Sequence, residues 1–207
     1  SGLPHDLKGP LSRMWLRIEL ADDSKLKEGL RTDLQDMQHM VDQFIGFVRG
    51  TDPAAYRYAP IVLSDWLTER VGAWQGAGTD IHLQAVDDEA PLVVQADAVA
   101  LGRLLDNLIG NALHHAGKGV EVAAYVSGDE SAPYVVLSVL DRGTGIDESE
   151  LETIFNPFIR GDRARGGKGT GLGLAIVKSI MQLHGGRVEV SSSPLGPTRF
   201  TLVFPAE

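Results

Sequence analysis

Apolar residues in the first fifty positions recur at helical spacing. Leu7, Leu11, Met14 and Ile18 step by four, three and four. Leu26, Leu30, Leu34, Met37, Val41, Phe44 and Val48 step by four, four, three, four, three and four. Steps of this kind put one apolar stripe on each of two helices, close to a coiled-coil seam. Asp22-Asp23-Ser24 supplies the turn between them, with Ser24 as an N-cap. A lone hairpin buries too little to be stable. The pattern therefore predicts a homodimer through residues 3–50, two hairpins pairing as a four-helix bundle. The alternative is that the hairpin packs on its own downstream domain.

The pattern changes after Gly50. Gly50 to Pro60 reads as a linker. Ser64 can cap a helix running to about Trp74, and Ile81–Val86 and Leu92–Val94 suit short strands. Asp97 can cap a long helix reaching His114 or His115. Val120–Val126 and Val135–Leu140 suit strands joined by a hairpin loop, and a short helix is expected from about Glu148 to Ile154. A second apolar helical face runs through Leu172, Ile176, Ile180 and Leu183, followed by strands at Arg187–Ser191 and Thr198–Phe204. The fold class is α+β: a helical hairpin over residues 1–52, then an α/β sandwich over 53–207, one mixed sheet with helices on one face.

Composition adds limits. The formal net charge is −9 with 19 Lys and Arg, which argues against a nucleic-acid binder. There is no cysteine, so neither a disulfide framework nor a thiolate metal site can exist. No apolar run is long enough to span a bilayer. A helix is already under way at Leu3, which fits a piece of a longer chain.

The candidate chemistry sits in four stretches. Gly161, Gly166, Gly167, Gly169, Gly171 and Gly173 make a loose segment leading straight into the helix of Leu172–Leu183. Unpaired N–H groups and the helix dipole at such a start suit phosphate oxygens. Asn107 and Asn111 share one helical face, where amide oxygens suit a hard cation such as Mg²⁺. Read alone, they are better taken as two solvent-facing asparagines. Asp141-Arg142-Gly143-Thr144-Gly145-Ile146 follows a buried strand. A carboxylate there, with glycines letting a flat ring approach, suits the exocyclic amine of adenine; read alone, it is a strand-ending turn. The fourth stretch is His5 to Pro10.

The order Asn107/Asn111, Asp141/Gly143/Gly145, Phe155/Phe158, Gly169/Gly171/Gly173 resembles the ATP-binding domain of bacterial sensor histidine kinases. His5-Asp6-Leu7-Lys8-Gly9-Pro10-Leu11 is similar to the phosphoacceptor box of that family, and the resemblance covers essentially the whole chain. The helix of Asp33–Gln38 and the stretch Phe158–Arg165 are most similar to the osmosensor subgroup. The resemblance implies that His5 accepts the γ-phosphoryl group of ATP, with Asp6 holding its tautomer and Lys8 steadying phosphate charge. It implies Asn111 as the Mg²⁺ ligand, with Asn107 on the phosphate side. It implies adenine recognition by Asp141, with Gly143, Gly145 and Ile146 beside it. Phe155 and Phe158 would anchor a mobile lid. Arg160 and Lys168 are its candidate phosphate contacts, whereas Arg163 and Arg165 read better as a solvated loop. Gly169, Thr170, Gly171, Leu172, Gly173 and Leu174 would wrap the phosphates. His114 and His115 would stack on adenine, meet phosphate, or simply suit a helix C-terminus. The implied partners are a second copy and the receiver domain of a response regulator. The implied location is the cytoplasmic side of a bacterial inner membrane, the parent chain being membrane-anchored.

Some residues depart from the family pattern. Gly9 stands where Thr or Asn is usual and has no side chain to orient a water, which implies weak phosphatase activity. Gly9 and Pro10 weaken the helix, and Pro4 replaces a small polar residue. They leave a second reading open, a dimeric nucleotide-binding scaffold that has lost transfer. A third reading, an ATPase of the gyrase or Hsp90 type, is opposed by Asn107, because an amide cannot activate water as a base. Asp106 is about 100° round the helix and a poor substitute.

Overall fold

The computed structural model describes residues 3–20, 24–50, 52–84, 92–128, 133–159, 171–194 and 196–205. In chain order the elements are α1 (Leu3–Glu19), α2 (Ser24–Gly50), a 3-10 turn (Pro53–Ala55), β1 (Ala59–Val62) and α3 (Leu63–Gly76). Then come β2 (Ile81–Leu83), β3 (Val93–Ala96), α4 (Ala98–Ala116), β4 (Val120–Ser127) and β5 (Tyr134–Asp141). The chain closes with α5 (Glu148–Leu151), α6 (Gly173–Leu183), β6 (Arg187–Ser191) and β7 (Thr198–Pro205).

The hairpin uses part of its apolar stripe within the chain. Leu11, Ile18 and Leu34 are buried together, with Trp15 and Val41 packed on them. Other members of the stripe stay exposed, among them Met14, Leu26, Leu30 and Met37. At the closed end Glu19 pairs with Lys27 and Arg31. Helix α2 begins at Ser24, so its cap position falls on residues outside those described. The C-terminal end of α2 leans on the second unit: it packs on α6, and Phe44 and Phe47 join that unit's core. The alternative packing is thus realised at one end of the hairpin.

The expected linker holds more order than its Gly and Pro content implies. Asp52 caps the 3-10 turn by accepting from the Ala54 amide at 3.0 Å. Strand β1 then pairs antiparallel with β3, Ala59 opposite Ala96 and Val62 opposite Val93. Local sequence does not reveal a four-residue strand whose partner lies some thirty residues on. Ser64 is not the cap expected of it. Val62 holds that position without a side-chain bond, and the Leu63 amide is satisfied by the Leu92 carbonyl at 2.8 Å. The cap at Asp97 forms as expected, its Oδ1 accepting from the Ala100 amide at 2.8 Å.

The main sheet has the order β2-β4-β5-β7-β6, with β2 parallel to β4 and the other pairs antiparallel. It is mixed, as expected. One face is apolar: Val122, Leu137, Val139, Phe200, Leu202 and Phe204 meet Leu67 of α3, Leu101, Leu104, Leu105 and Leu108 of α4, and Ile176 and Ile180 of α6. Removing that area from water is the main driving force of the fold. The strand edges and the outer side carry charged pairs, Arg187 with Glu189 and Arg142 with Glu121. Helices α4 and α6 pack together over the sheet, and the candidate site lies along their seam.

Candidate nucleotide site

Helix α4 is the floor of the site. Asn107 stands at the middle of α4 and His115 near its C-terminal end, eight residues on, about 12 Å along the axis at 1.5 Å per residue. Asn111 lies between them on the same face.

At the Asn107 end, α6 begins. Its first amides have no acceptor within the helix, and Leu172 in the cap position supplies no side-chain cap. Asn107 Nδ2 donates to the Arg103 carbonyl at 2.8 Å. This turns Oδ1 toward Gly173, where a Cβ would come within 2.9 Å of it. A side chain at Gly173 would therefore force the Asn107 amide to give way. Leu172 is buried and Leu174 packs against the core, so they hold α6 in place. Asn111 is half-buried, and its carboxamide takes no bond among the described residues.

At the other end, Asp141 closes β5 and is 3% exposed. Its Oδ1 accepts from the Gly143 amide at 2.9 Å, and Oδ2 takes no bond among the described residues. Burial pushes its carboxyl up, opposed by the Gly143 bond and His115. Partial desolvation, with the charge of His114, holds the His115 imidazole down, against a smaller upward pull from Asp141. The two rings meet edge to face at 5.1 Å. A Cβ at Gly143 would sit 2.9 Å from both Asp141 Oδ1 and the His115 carbonyl. Gly145 has φ +71° and would drive a Cβ to 1.9 Å from the Ser193 carbonyl. Only glycine fits there. The Ile146 amide donates to Ser192 Oγ at 2.9 Å, and Ser192 Oγ lies 2.9 Å from Thr198 Oγ1.

Residues 96–207 match the model of the family described as Histidine kinase-, DNA gyrase B-, and HSP90-like ATPase. The chain belongs to this family, among its sensor histidine kinases. It is 33% identical to the sensor protein IrlS of Burkholderia pseudomallei over 100% of this chain and 46% of that protein. It is 32% identical to the sensor protein RstB of Escherichia coli over 99% of this chain and 47% of the relative. The chain thus spans a little under half the length of these relatives. Among solved structures, full-length ShkA in complex with AMPPNP superposes with a TM-score of 0.78 at 25% identity, over 98% of this chain and 44% of ShkA.

In this chain the two phenylalanines are placed differently. Phe155 packs edge-on to Phe200 at 6.2 Å. The Phe158 ring is 65% exposed at φ 65°, and its amide, rather than its ring, holds the loop by donating to the Gly171 carbonyl at 3.0 Å. That bond joins the two ends of the segment between them. Arg160, Arg163, Arg165, Lys168, Gly169 and Thr170 lie outside the described residues. The backbones of His5, Asp6 and Lys8 belong to α1, and their side chains lie outside those described.

Thr198 was not singled out from sequence. It is 4% exposed and sits directly opposite Asp141 in the β5–β7 ladder. Asp106 is already engaged: it accepts from Trp74 Nε1 at 3.0 Å and pairs with Arg70.

Proposed function

We propose that the chain is the phosphoacceptor and catalytic core of a two-component kinase. It binds ATP along α4, moves the γ-phosphoryl group to His5, and passes it to an aspartate on a response-regulator receiver domain. The observation that carries this reading is the alignment along α4. A buried carboxylate with one oxygen unbonded among the described residues stands at one end, and the start of α6 beside an oriented amide stands at the other. Asp141 and Thr198 recognise the adenine edge, and His115 flanks it. Gly173 and the first amides of α6 receive the phosphates, with Gly169 to Leu174 around them. Residues 1–52 form the hairpin unit and 53–207 the nucleotide unit.

The residues fit a magnesium ion. Mg²⁺ prefers oxygen ligands and keeps several waters. Asn111 offers a half-buried amide oxygen, and the described residues contain no cluster of three His, Cys, Asp or Glu that would favour another metal. When bound, the ion would neutralise charge on the terminal phosphates. In the transfer, one imidazole nitrogen of His5 bonds to the γ-phosphorus as its bond to the bridging oxygen breaks, and ADP leaves. Asp6 accepts a hydrogen bond from the second imidazole nitrogen and offsets positive charge. Positioning supplies most of the rate. Neither residue at this point of α4 serves as a base for hydrolysis: Asn107 is an amide, and the Asp106 carboxylate is held by Arg70 and Trp74.

In this reading the full protein is membrane-anchored, with this segment on its cytoplasmic side. Among the described residues no helix is long and apolar enough to cross a bilayer.

Incubation with γ-labelled ATP and Mg²⁺ tests the reading. Acid-labile, alkali-stable label on the protein is expected, absent from His5→Ala. Asn111→Ala should lose about 10- to 100-fold in Mg-ATP affinity, the value of one charge-assisted contact. Bound nucleotide without label would instead favour a transfer-deficient scaffold.

A further inference from the structure

Arg103 lies half-buried on α4, one turn before Asn107. It reaches across to the hairpin, Nη1 donating to the Gly46 carbonyl of α2 at 3.3 Å. Its side chain lies flat over Gly46, with Cδ, Cζ and Nε 3.6 to 3.7 Å from where a Cβ would stand. Among the described residues it pairs with no carboxylate. Arg70, by contrast, is matched to Asp106. The guanidinium is therefore committed to a backbone carbonyl of the other unit. The backbone of the same residue serves the site, since the Arg103 carbonyl orients the Asn107 amide that faces Gly173. One residue thus joins the hairpin to the phosphate end of the site within a single helical turn.

The contact has a defined height on the hairpin. Trp15 bonds to Gln38, and Glu19 to Arg31. In antiparallel helices, ten residues on from the first pair brings position 5 level with 48. Fourteen residues on from the second brings it level with 45. Gly46 lies inside that interval. The proposed dimer axis runs along the bundle, so the partner's His5 stands at the same height.

We propose that Arg103 is a positioning residue for phosphoryl transfer, holding α4 against α2 at the height of His5 so that the phosphate end of the nucleotide site meets the histidine. The inference rests on the reading of His5 as acceptor and adds the contact that sets the distance. A reacting pair displaced by about 1 Å loses up to 100-fold in rate.

The test uses the whole chain and two readouts: the ATP dissociation constant by calorimetry and the labelling rate at saturating Mg-ATP. Arg103→Ala removes the donor and keeps the carbonyl that orients Asn107. Gly46→Leu puts a side chain where Arg103 lies. Both should label about tenfold or more slowly with ATP affinity changed less than about twofold. Arg103→Lys should recover part of the rate, because an ammonium can still donate to the carbonyl. Gly46→Ala should behave like the unchanged chain, since its Cβ makes only ordinary contact. Unchanged or faster labelling in Arg103→Ala and Gly46→Leu overturns the proposal. So does a parallel loss of ATP affinity, which would make Arg103 only a prop for the site. No label on the unchanged chain, with ATP bound, brings down the kinase reading itself and this inference with it.

Discussion

Asp141 shows what burial does to a residue proposed to recognise adenine. It is almost fully covered, yet one carboxylate oxygen remains without a bond among the described residues. Such a group is costly to keep charged, which is why its carboxyl is pushed above the ordinary 3.8. The folded state then holds the proton more tightly than the unfolded chain. Its contribution is fully favourable below the unfolded value and is lost as pH rises through the folded one. Asp141→Asn removes that penalty. At neutral pH its melting temperature should equal or exceed that of the unchanged chain, while ATP affinity falls about tenfold or more because the acceptor for the adenine amine is weakened. Thermal denaturation and calorimetry on one preparation measure both. The motif around Asp141 was legible because carboxylate and glycines are neighbours in sequence. Thr198 was not, because it reaches Asp141 only through the pairing of β5 with β7.

Helix α6 carries constraints at both ends. Its N-terminus faces Asn107, and its C-terminus is clasped by the segment leaving the hairpin. His184 is 7% exposed. Its Nδ1 meets the Ile180 carbonyl at 2.7 Å, and its Nε2 accepts from the Asp97 amide at 3.1 Å. Nδ1 therefore carries the proton. Tyr56 and Tyr58 pack edge-on against the ring at 5.5 and 5.0 Å, and Tyr58 Oη donates to the Leu183 carbonyl at 2.7 Å. Burial dominates and holds the imidazole below 6.5, outweighing the Ile180 bond and the nearby Asp97 carboxylate. A lowered folded value means stability that is present above the unfolded pKa and is lost as pH falls through the folded one. Melting temperature should therefore fall on acidification below about pH 6.5. His184→Gln should flatten part of that slope and cost roughly 1–2 kcal/mol at neutral pH through its lost bonds. His115 is shifted the same way, so a residual slope is expected to remain. A pH series of thermal melts on both chains reads the difference. None of this clasp was legible in sequence. Tyr58, Asp97 and His184 are separated by long stretches, and the segment carrying the tyrosines read as a linker.

At the scale of the molecule, the hairpin leaves apolar surface uncovered. Leu16, Leu20 and Leu26 are 65%, 81% and 57% exposed, and Leu30, Met37 and Met40 are also on the surface. Exposed apolar side chains recurring at helical spacing, as Leu26, Leu30 and Met37 do, suit an association surface. In the proposed bundle a second copy covers them. Leu30→Lys combined with Met37→Lys should convert the dimer to monomer at micromolar concentrations, as sedimentation equilibrium would record. A chain that stays dimeric would remove the bundle from the reading.

Sequence alone determined what depends on neighbours along the chain. Helical periodicity predicted the hairpin, Asp97 was recognisable as a cap, and the glycine-rich stretch led into α6 where expected. The order of the motifs carried the family, because each motif is a short run whose chemistry is local. Only the tertiary structure decided what depends on residues far apart. It paired β1 with β3 through the supposed linker and set Thr198 opposite Asp141. It packed the tyrosines edge-on against His184 and laid Arg103 across Gly46. These contacts are decided by which apolar faces can be buried together, a property of the whole chain that no single stretch contains.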